Sequence, residues 1–227
     1  MPEATATATG ATATAPPIPV PTTTDTRVIR FGYHGSAAVA SHIIGLAGWD
    51  KAAVRLSEYD VADPFRGVRA DELDLMIVKF GLREPDLVTS RVLAEDARAV
   101  VVGAGHPLAA RASVSVEELA DHDTFARPGT FPDYVWDEVV PSRTPAGRPI
   151  RRNRLVTSIP EMMGLVARGE AVHISLLSLA DIAPPGIRVV PLHDLPPAPV
   201  TVAWRRGREL PEHIRKFITT AEAEASR

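Results

Sequence analysis

From Val28 onward, short β-rich runs alternate with stretches of helical period, and that alternation limits the chain to folds built from strand–helix units. Val28-Ile29-Arg30-Phe31-Gly32 stops at a glycine, and Gly35-Ser36 then opens a helical stretch from Ala37 to Leu46. Val54 to Glu58 alternates apolar and polar residues, Leu73 to Val78 reads as a buried strand, and Leu87–Leu93 and Ala97–Val102 supply two more. Gly103-Ala104-Gly105-His106-Pro107 breaks the pattern, which marks a crossing into a second lobe. Beyond it, Ser115 with Glu118 and Ser158 with Glu161 fit capping boxes and fix two helix starts. Pro160 loses no intrahelical bond so early in its helix, and Gly169 ends it. Strands are expected at Thr124–Ala126, Val172–Ile174, Ile187–Val190 and Val200–Trp204. A final helix from Leu210-Pro211 carries Ile214, Phe217 and Ile218 on one face. The pattern predicts parallel or mixed open sheets with helices on both faces.

Charge and composition remove several functions. With 25 Lys or Arg against 28 Asp or Glu, the chain is mildly acidic, and no basic block gathers the charge that phosphate binding needs. Absence of cysteine excludes disulfides, iron–sulfur clusters, thiol nucleophiles and thiolate zinc sites. Gly103-Ala104-Gly105 lacks the rest of a dinucleotide fingerprint, and no zinc helix, nucleophile elbow or phosphate loop occurs, so neither a cofactor nor a metal is expected. Residues 1–26 contain nine Thr, six Ala and five Pro, too little apolar area to offset chain entropy, and are expected to be disordered. No secretory signal and no run of about 20 apolar residues is present, which predicts a cytoplasmic protein with no membrane partner.

The order of several pieces carries a family likeness. Leu73-Asp74-Leu75-Met76-Ile77 is followed by Leu93-Ala94-Glu95 leading to Val100-Val101-Val102, then His106-Pro107-Leu108-Ala109 and Val116-Glu117-Glu118-Leu119. Downstream come Val166-Ala167-Arg168-Gly169-Glu170-Ala171-Val172 and Ile187-Arg188-Val189-Val190-Pro191-Leu192. The series resembles the effector domain of LysR-type transcriptional regulators from about Arg27 to Ala221, with Ala171 standing where the family usually has a second glycine. The resemblance implies a type 2 periplasmic-binding-protein fold, an α/β architecture of two Rossmann-like lobes with a ligand cleft between them. Lobe I is expected over 27–103 and 201–227 and lobe II over 104–200, with crossings near Val102–Gly105 and Ala198–Ala203. The family's winged helix-turn-helix is not recognisable before Arg27, so direct DNA binding is not expected. Pairing common in the family implies a homodimer.

In open α/β sheets the cleft lies beyond the carboxyl ends of the strands, where loops and helix N-termini present amides. That rule selects Tyr33, His34, Gly35, Ser36, Glu58, Tyr59, Lys79 and Phe80 from one lobe. From the other it selects Arg127, Gly129, Thr130, Phe131, Thr157, Ser158, His173 and Ser175. Similar regulators use the Ser or Thr opening the first helix as a ligand contact, here Ser36. Helix starts together with Lys79 and Arg127 favour a small organic anion such as a carboxylate. Plainer roles exist: Ser36 and Ser158 as N-caps, the two cations as solvated surface charges, and His106, His122 and His173 as structural histidines.

Three functions fit these residues. The first is a stand-alone effector domain that binds a metabolite and acts through cleft closure and a protein partner such as a full-length regulator. The second is a cofactor-independent lyase, isomerase, dehydratase or cyclase in which His34 and His173 transfer protons and Glu58 or Glu161 orients them. The third is a structural module that pairs with related domains and whose cleft is collapsed.

Overall fold

The computed structural model describes residues 28–227, so the Thr/Ala/Pro-rich segment lies outside the described residues. The chain runs β1 (Ile29–Tyr33), α1 (Ala37–Leu46), β2 (Val54–Glu58), α2 (Arg66–Arg69), β3 (Leu75–Lys79), β4 (Leu87–Thr89), β5 (Ala94–Asp96), β6 (Arg98–Gly103), β7 (Asp123–Phe125), α3 (Asp133–Val139), β8 (Arg151–Arg154), α4 (Ile159–Ala167), β9 (His173–Leu176), β10 (Ile187–Pro191), β11 (Ala198–Arg205) and α5 (Glu212–Ala225). Short 3-10 turns cover Lys51–Ala53, Pro107–Ala110, Val116–Asp121 and Leu177–Ile182.

The first lobe is a mixed sheet in the order β2-β1-β3-β11-β4, with β5 also paired to β11. β1 runs parallel to β2 and β3, and β11 runs antiparallel to β3. Period-two alternation in β3 divides its side chains between two faces: Leu75 and Ile77 join the cluster under α1 and α5, whereas Met76 and Val78 join Phe65 and Val68 on the α2 side. α1 buries Ala40, Ile43 and Ile44, and α5 buries Ile214, Phe217, Ile218 and Ala221, each at the spacing of one helical face. Phe217 sets its ring edge-on to Phe31 at 5.8 Å and to Trp49 at 6.0 Å, so the last helix closes onto the first strand.

The second lobe centres on β6, buried along its whole length between antiparallel β10 and β9, with the two-stranded β7–β8 ribbon beside them. Ser115 and Glu118 complete a capping box, although the element it opens is the 3-10 turn Val116–Asp121. At Ser158 only half of the box forms. Its hydroxyl accepts from the Glu161 amide at 3.3 Å, while the Glu161 carboxylate accepts from the Thr157 amide at 2.8 Å and hydroxyl at 3.0 Å.

Both crossings lie elsewhere than the sequence pattern places them. β5 ends in the first sheet at Asp96 and β6 starts in the second at Arg98, so the first crossing is at Ala97 rather than near Val102–Gly105. The second lies within residues 192–197, because β10 ends at Pro191 and all of β11 from Ala198 belongs to the first sheet. An apolar run such as Ala99–Val102 satisfies either sheet equally, and only its pairing partners decide which one takes it. Among the described residues no separate DNA-binding domain is present, and no helix is long and apolar enough to cross a membrane.

Candidate ligand-binding site

A cavity of about 140 Å³ lies between the two sheets, with walls from both. Its size is close to the roughly 150 Å³ of an apolar cavity that admits a benzene ring. From the first lobe come the β1–α1 loop (His34, Gly35, Ser36), Tyr59, and the end of β3 with Lys79 and Phe80. From the second come Phe131, Trp136 of α3, Met162 of α4, and His173 and Ser175 of β9. Nine residues expected from the sequence therefore meet here: His34, Gly35, Ser36, Tyr59, Lys79, Phe80, Phe131, His173 and Ser175.

The remaining expected residues are placed elsewhere. Tyr33 packs partly buried against the core under α1, because alternation along β1 turns it to that face. The Arg127 guanidinium folds back onto its own loop, bonding the Gly129 and Phe131 carbonyls and pairing with Asp133 at 2.6 Å. Thr157 and Ser158 serve the start of α4, and Ile159 reaches the cavity instead. Thr130 stands at the rim, where its amide and hydroxyl donate to the Ala62 carbonyl at 2.6 and 2.9 Å. That rim contact joins the lobes, and Gly129 permits it. Its φ is +46°, and a Cβ there would stand 2.4 Å from the Ala62 oxygen. Gly129→Ala is expected to open this seam at a cost of roughly 1–3 kcal/mol. Amide exchange at Thr130 should accelerate and Tm should fall, and unchanged protection would contradict the assignment.

Further contacts span the cleft. The Ser36 hydroxyl accepts from the Ala38 amide at 3.1 Å as an N-cap and donates to the carboxylate of Asp181, which the Leu177–Ile182 turn brings from the opposite lobe. Lys79 Nζ lies 2.8 Å from Asp96 and donates to the Ser178 hydroxyl at 2.9 Å, while the Ser178 amide donates to Asp96 at 3.1 Å. Lys79 is therefore already neutralised, beside the first crossing. On the outer rim, Tyr134 accepts from the Arg83 amide at 2.9 Å and donates to Glu84 at 3.1 Å.

The two histidines differ in their surroundings. His34 Nδ1 lies 3.2 Å from the Tyr59 carbonyl, and its ring stacks on Tyr59 with centroids 5.6 Å apart. Burial holds its pKa below the ordinary value, against the Tyr59 carbonyl and Glu58, which raise it. Glu58 does not orient the ring closely: its Oε1 is 4.0 Å from Nδ1 and accepts from the Gly35 amide at 3.3 Å. His173 is more deeply enclosed, stacked on Trp136 at 6.2 Å and edge-on to Phe125 at 5.5 Å, with Nδ1 buried and unbonded. Burial first, then Arg98 and His34, push its pKa down to about 4. Arg98 is itself buried, bonds the Val139 and Ser175 carbonyls, sits over the Phe80 ring at 5.1 Å, and is pushed down to about 10 by burial.

Much of the wall had no polar signature. Phe65, Met76, Trp136 and Met162 fall on apolar positions of their elements and read from sequence as core, which they also are. Asp96 and Asp181 take part only through partners far along the chain, a relation that no local pattern reveals.

This geometry has known relatives. The sequence matches the LysR substrate binding domain over residues 47–226. No curated protein matches the sequence. Among solved structures, full-length CbnR bound to its target DNA is similar with a TM-score of 0.69 at 17% identity, over 88% of this chain and 71% of CbnR. The effector binding domain of QuiR in complex with shikimate gives 0.65 at 16% identity, over 87% of this chain and 96% of that one. The BenM effector binding domain with its effector benzoate gives 0.61 at 20% identity, over 88% and 93%. These likenesses concern the fold, and the family match spans most of the sequence. With two sheets enclosing a cavity at the carboxyl ends of β1 and β3, the chain belongs to the LysR substrate-binding-domain family.

Proposed function

We propose that this domain senses a small organic molecule by closing its two lobes over it and releases it unchanged. The observation that carries the reading is the cavity itself, walled by both lobes and bridged by Ser36–Asp181, Lys79–Ser178 and Thr130–Ala62. Occupancy and lobe closure are thus coupled, and a ligand with differential affinity for the closed form shifts the equilibrium toward it. The cavity also argues against a purely structural module with a collapsed cleft. Benzoate in the BenM domain and shikimate in the QuiR domain support a ring-sized ligand here.

Catalysis by the histidines has less support. His173 has no carboxylate partner, His34 bonds a carbonyl, and Glu58 and Glu161 are engaged elsewhere. The same reading includes a cytoplasmic homodimer whose closure is passed to a protein partner such as a full-length regulator.

The test is a thermal-shift screen of the full chain against a metabolite panel containing acids, amides, phenols and alcohols, followed by mass spectrometry of the recovered hit. At a hundredfold excess over Kd a ligand stabilises by about 2.7 kcal/mol, a Tm rise of roughly 5–10 °C for a domain of this size. A hit returned intact supports the reading; conversion to product, or no hit from any class, refutes it.

A further inference from the structure

We infer that the cavity selects an uncharged ring compound bearing a group that both donates and accepts a hydrogen bond, such as a phenol or a primary carboxamide, held between His34 and His173. The inference rests on the cleft being an effector site and specifies its ligand class.

A neutral imidazole has one N–H and one bare nitrogen, so fixing the role of one fixes the other. His34 Nδ1 faces the Tyr59 carbonyl at 3.2 Å and must carry the hydrogen to bond it, which leaves Nε2 as an acceptor. At His173 the situation reverses. Nδ1 is buried with no partner, and an orphaned N–H there is less tolerable than an orphaned lone pair. The hydrogen therefore resides on Nε2, the ring nitrogen not shut in, and this atom is a donor on a residue that lines the cavity. Stacking against Tyr59 and Trp136 fixes both ring planes. The two histidines thus add one acceptor from the first lobe and one donor from the second to a wall that also carries the Ser175 and Ser178 hydroxyls.

A carboxylate supplies acceptors only. It could meet His173, but it would bring negative charge toward the His34 lone pair without a free cation in the wall. Lys79 is held by Asp96 at 2.8 Å, the Ser36 hydroxyl is committed to Asp181, and Arg127 is outside the cavity. Arg98, buried over the Phe80 ring without a carboxylate partner, is not part of the wall and bonds two backbone carbonyls. Aromatic and apolar side chains, Phe80, Phe131, Trp136 and Met76 among them, form most of the remaining surface. Such a wall favours a flat ring and penalises a buried charge. The carboxylate expected from the sequence gives way to a neutral group for these reasons.

Titration calorimetry of the full chain with benzamide, phenol and benzoate at pH 7.5 tests the inference. Benzamide or phenol should bind at least about tenfold more tightly than benzoate, the value of one well-made hydrogen bond. His173→Phe and His34→Phe should each weaken benzamide by about tenfold while leaving toluene, which has no polar group, nearly unaffected. If His173→Phe fails to fold, the partly exposed His34 still provides the comparison. Benzoate binding as tightly as the neutral probes, wild-type benzamide affinity in the folded variants, or no binding by any of the three overturns the inference. In that last case an intact hit of another class in the wider screen would leave the effector-site reading standing.

Discussion

Acidification from pH 7 to pH 4 is expected to remove roughly 3 kcal/mol of folding stability through His173 alone. The folded protein holds this imidazole neutral down to about pH 4, because burial among Phe125 and Trp136 and the nearby Arg98 disfavour the charged ring. The unfolded chain protonates it near its ordinary 6.5. Its contribution is therefore complete above pH 6.5 and disappears as pH falls toward the folded value. His34 acts in the same direction, since burial lowers its pKa too. Asp74 is also depressed in the folded state, but its contribution is lost only below the ordinary carboxylate range. Denaturant midpoints measured between pH 7.5 and 4 should fall across the histidine window in the wild type and much less in His173→Phe. Parallel curves for the two proteins would contradict the assignment.

Asp74→Ala should destabilise the first lobe by roughly 3–5 kcal/mol, lowering Tm by roughly 6–20 °C. Asp74 is buried just before β3 and accepts from the Arg30 amide at 2.9 Å and Nε at 3.1 Å, from Arg30 Nη2 at 2.6 Å, and from Arg208 Nη2 at 2.6 Å. Removing the carboxylate leaves a strand amide unpaired and leaves the largely buried Arg208 guanidinium with only the Leu73 carbonyl at 3.3 Å and the more distant Asp71 at 3.7 Å, whereas Arg30 is exposed enough to turn toward water. Asp74→Asn keeps an acceptor of the same shape and should lose less. Thermal melts of both variants decide the point: a loss in Asp74→Asn equal to that in Asp74→Ala would mean that the charge alone carries the stabilisation and the retained acceptor contributes little.

The arrangement of elements could be read from the sequence wherever local chemistry settles it. Ser36 and Ser115 cap their elements, Gly169 ends α4, and the apolar spacing of α5 identifies the face that meets β1. The family likeness then orders these elements into two lobes. Less local features escaped. Lys79 and Asp96 are legible as charges but not as a pair, and Arg127 looks like an anion receptor until its own loop is seen to occupy it. Ile159, Trp136 and Met162 sit where any amphipathic helix puts core residues, so a ligand-facing role leaves no mark in the spacing. The tautomers of His34 and His173 depend on a carbonyl 25 residues away and on an enclosure built from three elements, neither of which periodicity encodes.

The Asp181–Ser36 contact has a kinetic and selective consequence for anything acidic that enters. A tethered carboxylate sits at the first turn of α1 at an effective concentration in the millimolar range or above, since its turn is held by the chain itself. Any acidic visitor seeking the Ser36 hydroxyl must first displace this resident anion into solvent. The protein thus carries its own competitor for that spot, and an acid that needs the Ser36 hydroxyl binds more weakly for it.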